Sequence, residues 1–311
     1  MIKPYALKKG DTIGVVAPAS PTKNILDVVE KAKTILEKQG FKVIIGESCY
    51  KQEGYLAGTD EIRAKDINQM FSDKNIRGIF CLRGGYGSPR ILDRLDYDLI
   101  RKNPKVFLGY SDITAIHIAL YRKCKLITFH GPMVASDMID EFDEFSMKSY
   151  SKAVTVAEPI GIVKNPENIK IMSLVSGKAK GRIVGGNLSL IAATIGTPYE
   201  IDTNNKILFL EEIDEFTYSI DRMLTQLRLS GKLKDCLGIV IGDFKNCFPQ
   251  YEGYDCTLME VFKDIIAKEK KPTIYNLMAG HCKPKITIPL GAEAVIDADN
   301  CTLEIIEAAV K

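Results

Sequence analysis

Apolar runs and helical patterns alternate along the first part of the chain, and that alternation restricts the fold more than any other feature of the sequence. DTIGVVAPAS (11–20) is an apolar strand ending in a proline-containing turn, and ILDVVEKAKTILEKQG (25–40) then shows helical apolar spacing and closes on glycine. FKVIIGES (41–48), EIRAKDINQMFSD (61–73) and IRGIFCL (76–82) continue as strand, helix and strand. Ser88-Pro89 opens a further helix through about Leu95, and VFLG (106–109) is a fourth strand whose helix runs through about Tyr121. Strands that follow one another through helices join by crossovers, so an α/β domain built on a parallel sheet is expected.

Beyond LITFHGPM (126–133) the texture changes. FDEFSMKSYSKAV (142–154) has a helical pattern and KNPENIK (164–170) the composition of a turn. Short strands follow at 181–186, 206–212, 236–244 and 285–290, and AEAVIDADNCTLEII (292–306) forms a hairpin about Asp299-Asn300. The expected division is an N-terminal α/β domain at 1–150, a linker at 151–175 and a C-terminal α/β domain at 176–311. With 311 residues and 46% hydrophobic side chains the chain can bury two cores.

The charge balance narrows the partners. Forty-two Lys and Arg face forty Asp and Glu, a net charge of +2, with no basic stripe at helical spacing; no nucleic-acid partner is expected. MIKPYALKKGD has no apolar leader and no run approaches the ~20 residues that span a bilayer, so no membrane association is expected and a cytoplasmic location is. The eight cysteines are scattered without a Cys-x-x-Cys pair, and His-Glu-x-x-His is absent; neither a metal nor another cofactor is expected.

VFLGYSDITAIHIAL (106–120) concentrates the chemistry. The strand breaks at Gly109 and helical spacing resumes at Asp112, leaving Ser111 at the turn. A serine there either caps the helix or presents its hydroxyl as an acyl-transfer nucleophile. Three histidines are available as a base. His117 shares an apolar face with Ile113, Ile116 and Leu120 and suits the core, whereas His130 in TFHGPM fits either a pocket wall or a structural place. His281, in the loop MAGHCKPK, has no apolar periodicity to account for it. Such a base needs a carboxylate to hold its tautomer, and KILFLEE ends in two, Glu211 and Glu212, on opposite sides of a strand. CLRGGYGSPR (81–90) supplies glycines whose backbone can approach a reacting atom. Arg90 occupies the third glycine position of a dinucleotide fingerprint, and SGK at 176–178 and 230–232 lacks the rest of a phosphate-binding loop, which removes both nucleotide readings. The serine turn also departs from G-x-S-x-G, with Ile113 in place of the second glycine.

These residues, with GDTIGVVAPAS, YLAGTDEIRAKDI (55–67), GRIVGGNLSLIAATIGTPYE, LFLEEIDEFTYSIDRML and GHCKPKITIPLGAEAVIDA, resemble the serine LD-carboxypeptidases almost end to end. That family comprises the murein tetrapeptide carboxypeptidases and the related microcin C immunity peptidases; RGGYG looks more like the former. The resemblance implies an N-terminal domain similar to class I glutamine amidotransferases, a C-terminal swivelling β/α/β-type domain, no metal and a homodimer. It places the nucleophile on Ser111, the acid on Glu211, with Glu212 the other candidate, the base on His281, and the oxyanion donors on the amides of Gly85 and Asp112. The implied substrate is a muropeptide tetrapeptide, cut between its L-configured diamino acid centre and terminal D-alanine, with peptidoglycan recycling and antibiotic detoxification both open as the role. Arg83 is a candidate for the substrate carboxylate or a solvated loop arginine, Asn187 lines the site or caps a helix, and Tyr110 packs beside the nucleophile or fills the turn. An immunity-type amidase acting on peptidyl or aminoacyl nucleotides, and a non-catalytic muropeptide-binding protein, are the alternatives.

Overall fold

The structure is a computed structural model and describes residues 1–140 and 142–311. It contains two compact units: Met1–Glu158 with Thr287–Gly291 and Ala308–Lys311, and Pro159–Ile286 with Ala292–Glu307.

The first unit follows the expected alternation. Its early strands are β1 (Thr12–Val16), β2 (Lys42–Ile45), β3 (Ile76–Cys81), β4 (Val106–Gly109) and β5 (Thr128–His130). Between and after them run α1 (Ile25–Lys38), α2 (Asp60–Ser72), α3 (Tyr97–Lys102), α4 (Thr114–Cys124) and α5 (Glu144–Thr155). α1 buries Val29, Ala32 and Leu36, the stripe its spacing required, and α2 starts where Thr59 accepts a hydrogen bond from the Ile62 amide. All five strands are parallel, in the order β5-β4-β3-β1-β2. β4, the strand that leads to Ser111, is therefore central and wholly buried. Ser88–Arg94 winds as 3₁₀ turns rather than an α-helix, with Pro89 at its start.

The second unit contains β6 (Pro159–Val163), β7 (Met172–Val175), β8 (Lys178–Asn187), β9 (Lys206–Ile213), β10 (Gly238–Lys245) and β11 (Thr273–Tyr275), with α6 (Leu188–Thr194) and α7 (Thr217–Leu229). The chain then gives β12 (Ile288–Leu290) to the first unit's sheet before β13 (Glu293–Asp297) and β14 (Thr302–Ala308). The second sheet is mixed, in the order β6-β14-β13-β8-β9-β10-β11-β7, with β8 to β11 parallel.

Two segments differ from the expected division. The stretch read as a linker, 151–175, holds the end of α5 together with β6 and β7. KITIPL, read within the C-terminal domain, sends Ile288–Leu290 antiparallel against β5, pairing Ile288 with His130. An apolar run this short carries no mark of which sheet it will cover; burying Ile288 and Leu290 on the open edge of β5 satisfies both the strand and the edge. The first sheet is thus mixed at one edge rather than purely parallel. Among the described residues all eight cysteines are free thiols, and no helix is long and apolar enough to cross a membrane.

Candidate active site

Ser111 sits in a strained turn. Tyr110 is extended, and Ser111 then takes a φ of 64°, the left-handed region that costs a residue with a Cβ about 1–3 kcal/mol. A 3₁₀ turn over Ser111–Ile113 leads into α4, whose N-terminus has no side-chain cap. The strained serine is therefore not serving as the cap that its position suggested. A Cβ on Gly109 would lie 3.1 Å from both Cys81 Cβ and Ile113 Cγ2, so the strand must be bare where it bends. Ile113, fully buried, fills the space beneath the turn that a second glycine would leave open.

The bend is anchored by a core histidine. The Gly109 carbonyl accepts from the Gly131 amide at 3.1 Å and from His117 Nε2 at 2.9 Å, while His117 Nδ1 accepts from the Thr128 hydroxyl at 2.9 Å. Burial pushes the His117 pKa down to about 3. Between about 6.5, its ordinary value, and about 3 the unfolded chain binds a proton that the folded protein refuses. Stability is thus fully present above this window and falls with falling pH inside it, by up to ~1.4 kcal/mol per pH unit. Urea midpoints measured from neutral to acid pH are expected to show this slope, reduced by one proton in His117→Gln.

The glycine loop lies against the serine. A Cβ on Gly84 would stand 3.0 Å from Ser111 Cβ, 3.1 Å from its Oγ and 3.5 Å from the Asp112 amide nitrogen. Gly84 was read only as part of the loop; its close approach depends on a tertiary contact that no spacing rule reveals. Gly85 has a φ of 114°, and a Cβ there would collide with Ser20 Oγ at 2.4 Å. Ser20 grips the loop on this side: its amide donates to Gly84 O at 3.3 Å and its hydroxyl accepts from the Tyr86 amide at 3.0 Å. Asp112, buried, accepts from the Ser88 amide at 2.8 Å through Oδ2, and burial holds its carboxyl above the usual range. Half-buried Arg83 donates to the Pro21 carbonyl at 3.0 Å. Tyr110 is buried, edge-on to His130 at 5.7 Å, with its hydroxyl donating to Asp137 at 3.3 Å.

In the second unit the structure brings Glu211 and His281 together. Glu211 ends the apolar run of β9 with its side chain fully buried, and its Oε2 accepts from His281 Nδ1 at 2.7 Å. The loop bearing the histidine is fastened along β10, Leu277 N donating to Ile241 O at 3.2 Å and Asp243 N to Ala279 O at 2.9 Å. Gly280, with a φ of 129°, lies so near Glu211 that a Cβ would be 2.9 Å from both its Cβ and its Oε2. Glu212 points the other way. It accepts from Asn187 Nδ2 at 2.7 Å, from the Ser189 amide at 2.8 Å and hydroxyl at 2.7 Å, and from its neighbour Ile213 N at 2.9 Å. Asn187 also caps α6 by accepting from the Leu190 amide. Asp243, missed in the sequence, has its carboxyl raised by burial first and by the nearby Glu211 charge second.

Residues 13–131 match the model of the LD-carboxypeptidase N-terminal domain, and 180–296 that of the LD-carboxypeptidase C-terminal domain. The chain belongs to the LD-carboxypeptidase family. A probable murein peptide carboxypeptidase of Bacillus subtilis is 43% identical over 99% of this chain and 95% of its own length. The microcin C7 self-immunity protein MccF of Escherichia coli is 28% identical over 97% and 94%. Its solved wild-type apo structure aligns with a TM-score of 0.92 at 27% identity, covering 100% of both chains. A muramoyltetrapeptide carboxypeptidase structure from Oxalobacter formigenes aligns at 0.81 with 28% identity, over 94% of this chain and 97% of that one. As a member of this family the chain is an enzyme of the serine carboxypeptidase type, and the two family domains correspond to its two α/β units.

Proposed function

We propose that the protein hydrolyses the amide between the L-configured diamino acid centre and the terminal D-alanine of muropeptide tetrapeptides. The observation that carries this reading is the buried Glu211 carboxylate holding His281 Nδ1 at 2.7 Å, an acid–base pair in a family of murein peptidases. With Nδ1–H donated to Glu211, the reaction's proton is exchanged at Nε2 in this reading. His281 removes the Ser111 proton as Oγ attacks the amide carbonyl, and Glu211 stabilises the imidazolium that forms. The Gly85 and Asp112 amides receive the oxyanion. His281 then gives its proton to the leaving D-alanine amine, and water, deprotonated by the same imidazole, releases the acyl group from Ser111.

Arg83 serves in this reading as a substrate-facing group and Tyr110 as the packing beside the nucleophile, whereas Asn187, the other candidate, is buried with its amide held by Glu212 and the α6 cap and serves the fold. The protein acts in the cytoplasm on peptides recycled from the wall, as a homodimer, and its first unit shares the layout of class I glutamine amidotransferases. Purified protein given a defined tetrapeptide is expected to release D-alanine at a rate unchanged by exhaustive chelation. A peptidyl or aminoacyl nucleotide offered in competition is expected to be the poorer substrate. Preference for the nucleotide would assign the immunity-type activity instead, and tight binding without turnover a non-catalytic role.

A further inference from the structure

We propose that Arg63, a buried arginine on α2, is the positioning residue that sets the glycine loop beside Ser111; the inference rests on the reading of Ser111 as nucleophile. Arg63 is fully buried, and its Nη1 donates to two backbone carbonyls from different loops, Pro18 O at 2.6 Å and Gly87 O at 2.8 Å. Its Nη2 donates to Asp60, one turn earlier on the same helix and itself held from outside by Arg90 Nε at 3.0 Å. A Cβ on Gly87 would stand 3.0 Å from Arg63 Nη1, so the loop backbone rests directly on the guanidinium.

The two carbonyls are the two ends of one brace. Pro18 belongs to the loop that carries Ser20, and Ser20 holds Gly84 and Tyr86. Gly87 precedes Ser88, whose amide and hydroxyl both donate to Asp112, the residue after the nucleophile. Joining Pro18 to Gly87 therefore fixes both flanks of the stretch that carries Gly84 and Gly85 beside Ser111. A planar fork with fixed donor directions meets two carbonyls with one nitrogen and a carboxylate with the other, whereas the three donors of lysine radiate from one freely rotating ammonium that fixes no such plane. Burying a charge is a poor route to stability, because an apolar side chain of similar volume usually serves as well. Its use here is in geometry: amide donors for an oxyanion act only if they are already aimed, and a displacement of about 1 Å costs on the order of 100-fold in rate.

The test uses the full-length protein and D-alanine release from a defined tetrapeptide. Arg63→Ala is expected to fold, to lose about 100-fold in kcat with KM changed by less than about threefold, and to recover when guanidinium ion at millimolar concentration refills the cavity. Sodium chloride at equal ionic strength should restore nothing. A folded R63A with kcat within about threefold of wild type, or a loss that guanidinium leaves untouched, overturns the proposal. Should R63A fail to fold, R63K decides by the same split: a fall in kcat at steady KM supports it and an unchanged kcat overturns it. Ser111→Ala run alongside separates the two readings. Wild-type turnover in S111A removes the nucleophile assignment, whereas a dead S111A beside an unaffected Arg63 variant removes only the brace.

Discussion

Ser111→Ala is expected to leave a folded protein whose release of D-alanine is lost, with kcat lowered by on the order of 10⁶-fold, the scale seen when a triad serine is removed. Ser111→Gly should lose turnover equally but melt higher. The serine is held at a φ of 64°, where a Cβ is unfavourable and glycine is at ease, so the glycine variant is expected to gain about 1 kcal/mol over alanine at the same position. The strain is local, since Gly109 and the buried Ile113 shape the bend whatever occupies its apex. Thermal melts of the two variants read the strain, and a tetrapeptide assay reads the chemistry. Wild-type turnover in either variant would remove Ser111 from the reaction, and a lower melting temperature for the glycine variant would show that the turn is not strained.

Much of the first unit was legible because its signals are local. The 3.6-residue spacing of Val29, Ala32 and Leu36 and the apolar run of β4 each declare one element, and a parallel sheet follows from their order. Ser111, Glu211 and His281 stood out for the same reason: each departs from the pattern around it, as a polar group at the end of an apolar run or a histidine with no apolar face. What escaped depends on partners distant in the chain. Ile288–Leu290 could join either sheet until the open edge of β5 was seen. Ser20, Gly84 and Gly280 matter through tertiary approaches of a few ångströms that leave no periodic trace. Arg63 looks in sequence like an ordinary polar residue of a helix with charged neighbours, and only the fold shows it buried between two loops. His117, by contrast, was read correctly as a core histidine from its apolar face, and its burial is the physical reason it stays neutral, against the pull of the Gly109 carbonyl toward a proton.

Glu211 and Glu212 are adjacent, and their substitutions are expected to separate catalysis from stability. Glu211→Gln keeps the shape of the side chain and an acceptor for His281 Nδ1, but removes the charge that stabilises an imidazolium, and an amide turned the other way would favour the wrong tautomer. Gly280 packs against Glu211 so closely that the pair has little room to rearrange. The expected result is a fall of about 10⁴-fold in kcat with a near-normal melting temperature, by analogy with other triad acids. Glu212→Gln places an amide N–H₂ among donors, since Asn187 Nδ2, the Ser189 amide and hydroxyl, and the Ile213 amide all point at the carboxylate. A buried donor without an acceptor costs about 1–3 kcal/mol, so E212Q should unfold earlier in urea while its kcat at moderate temperature stays within a few-fold of wild type. Kinetics and urea midpoints on both variants decide the matter. If E212Q is the variant that loses turnover and E211Q the one that only loses stability, the acid of the reaction is Glu212 and the 2.7 Å contact between Glu211 and His281 serves the fold instead.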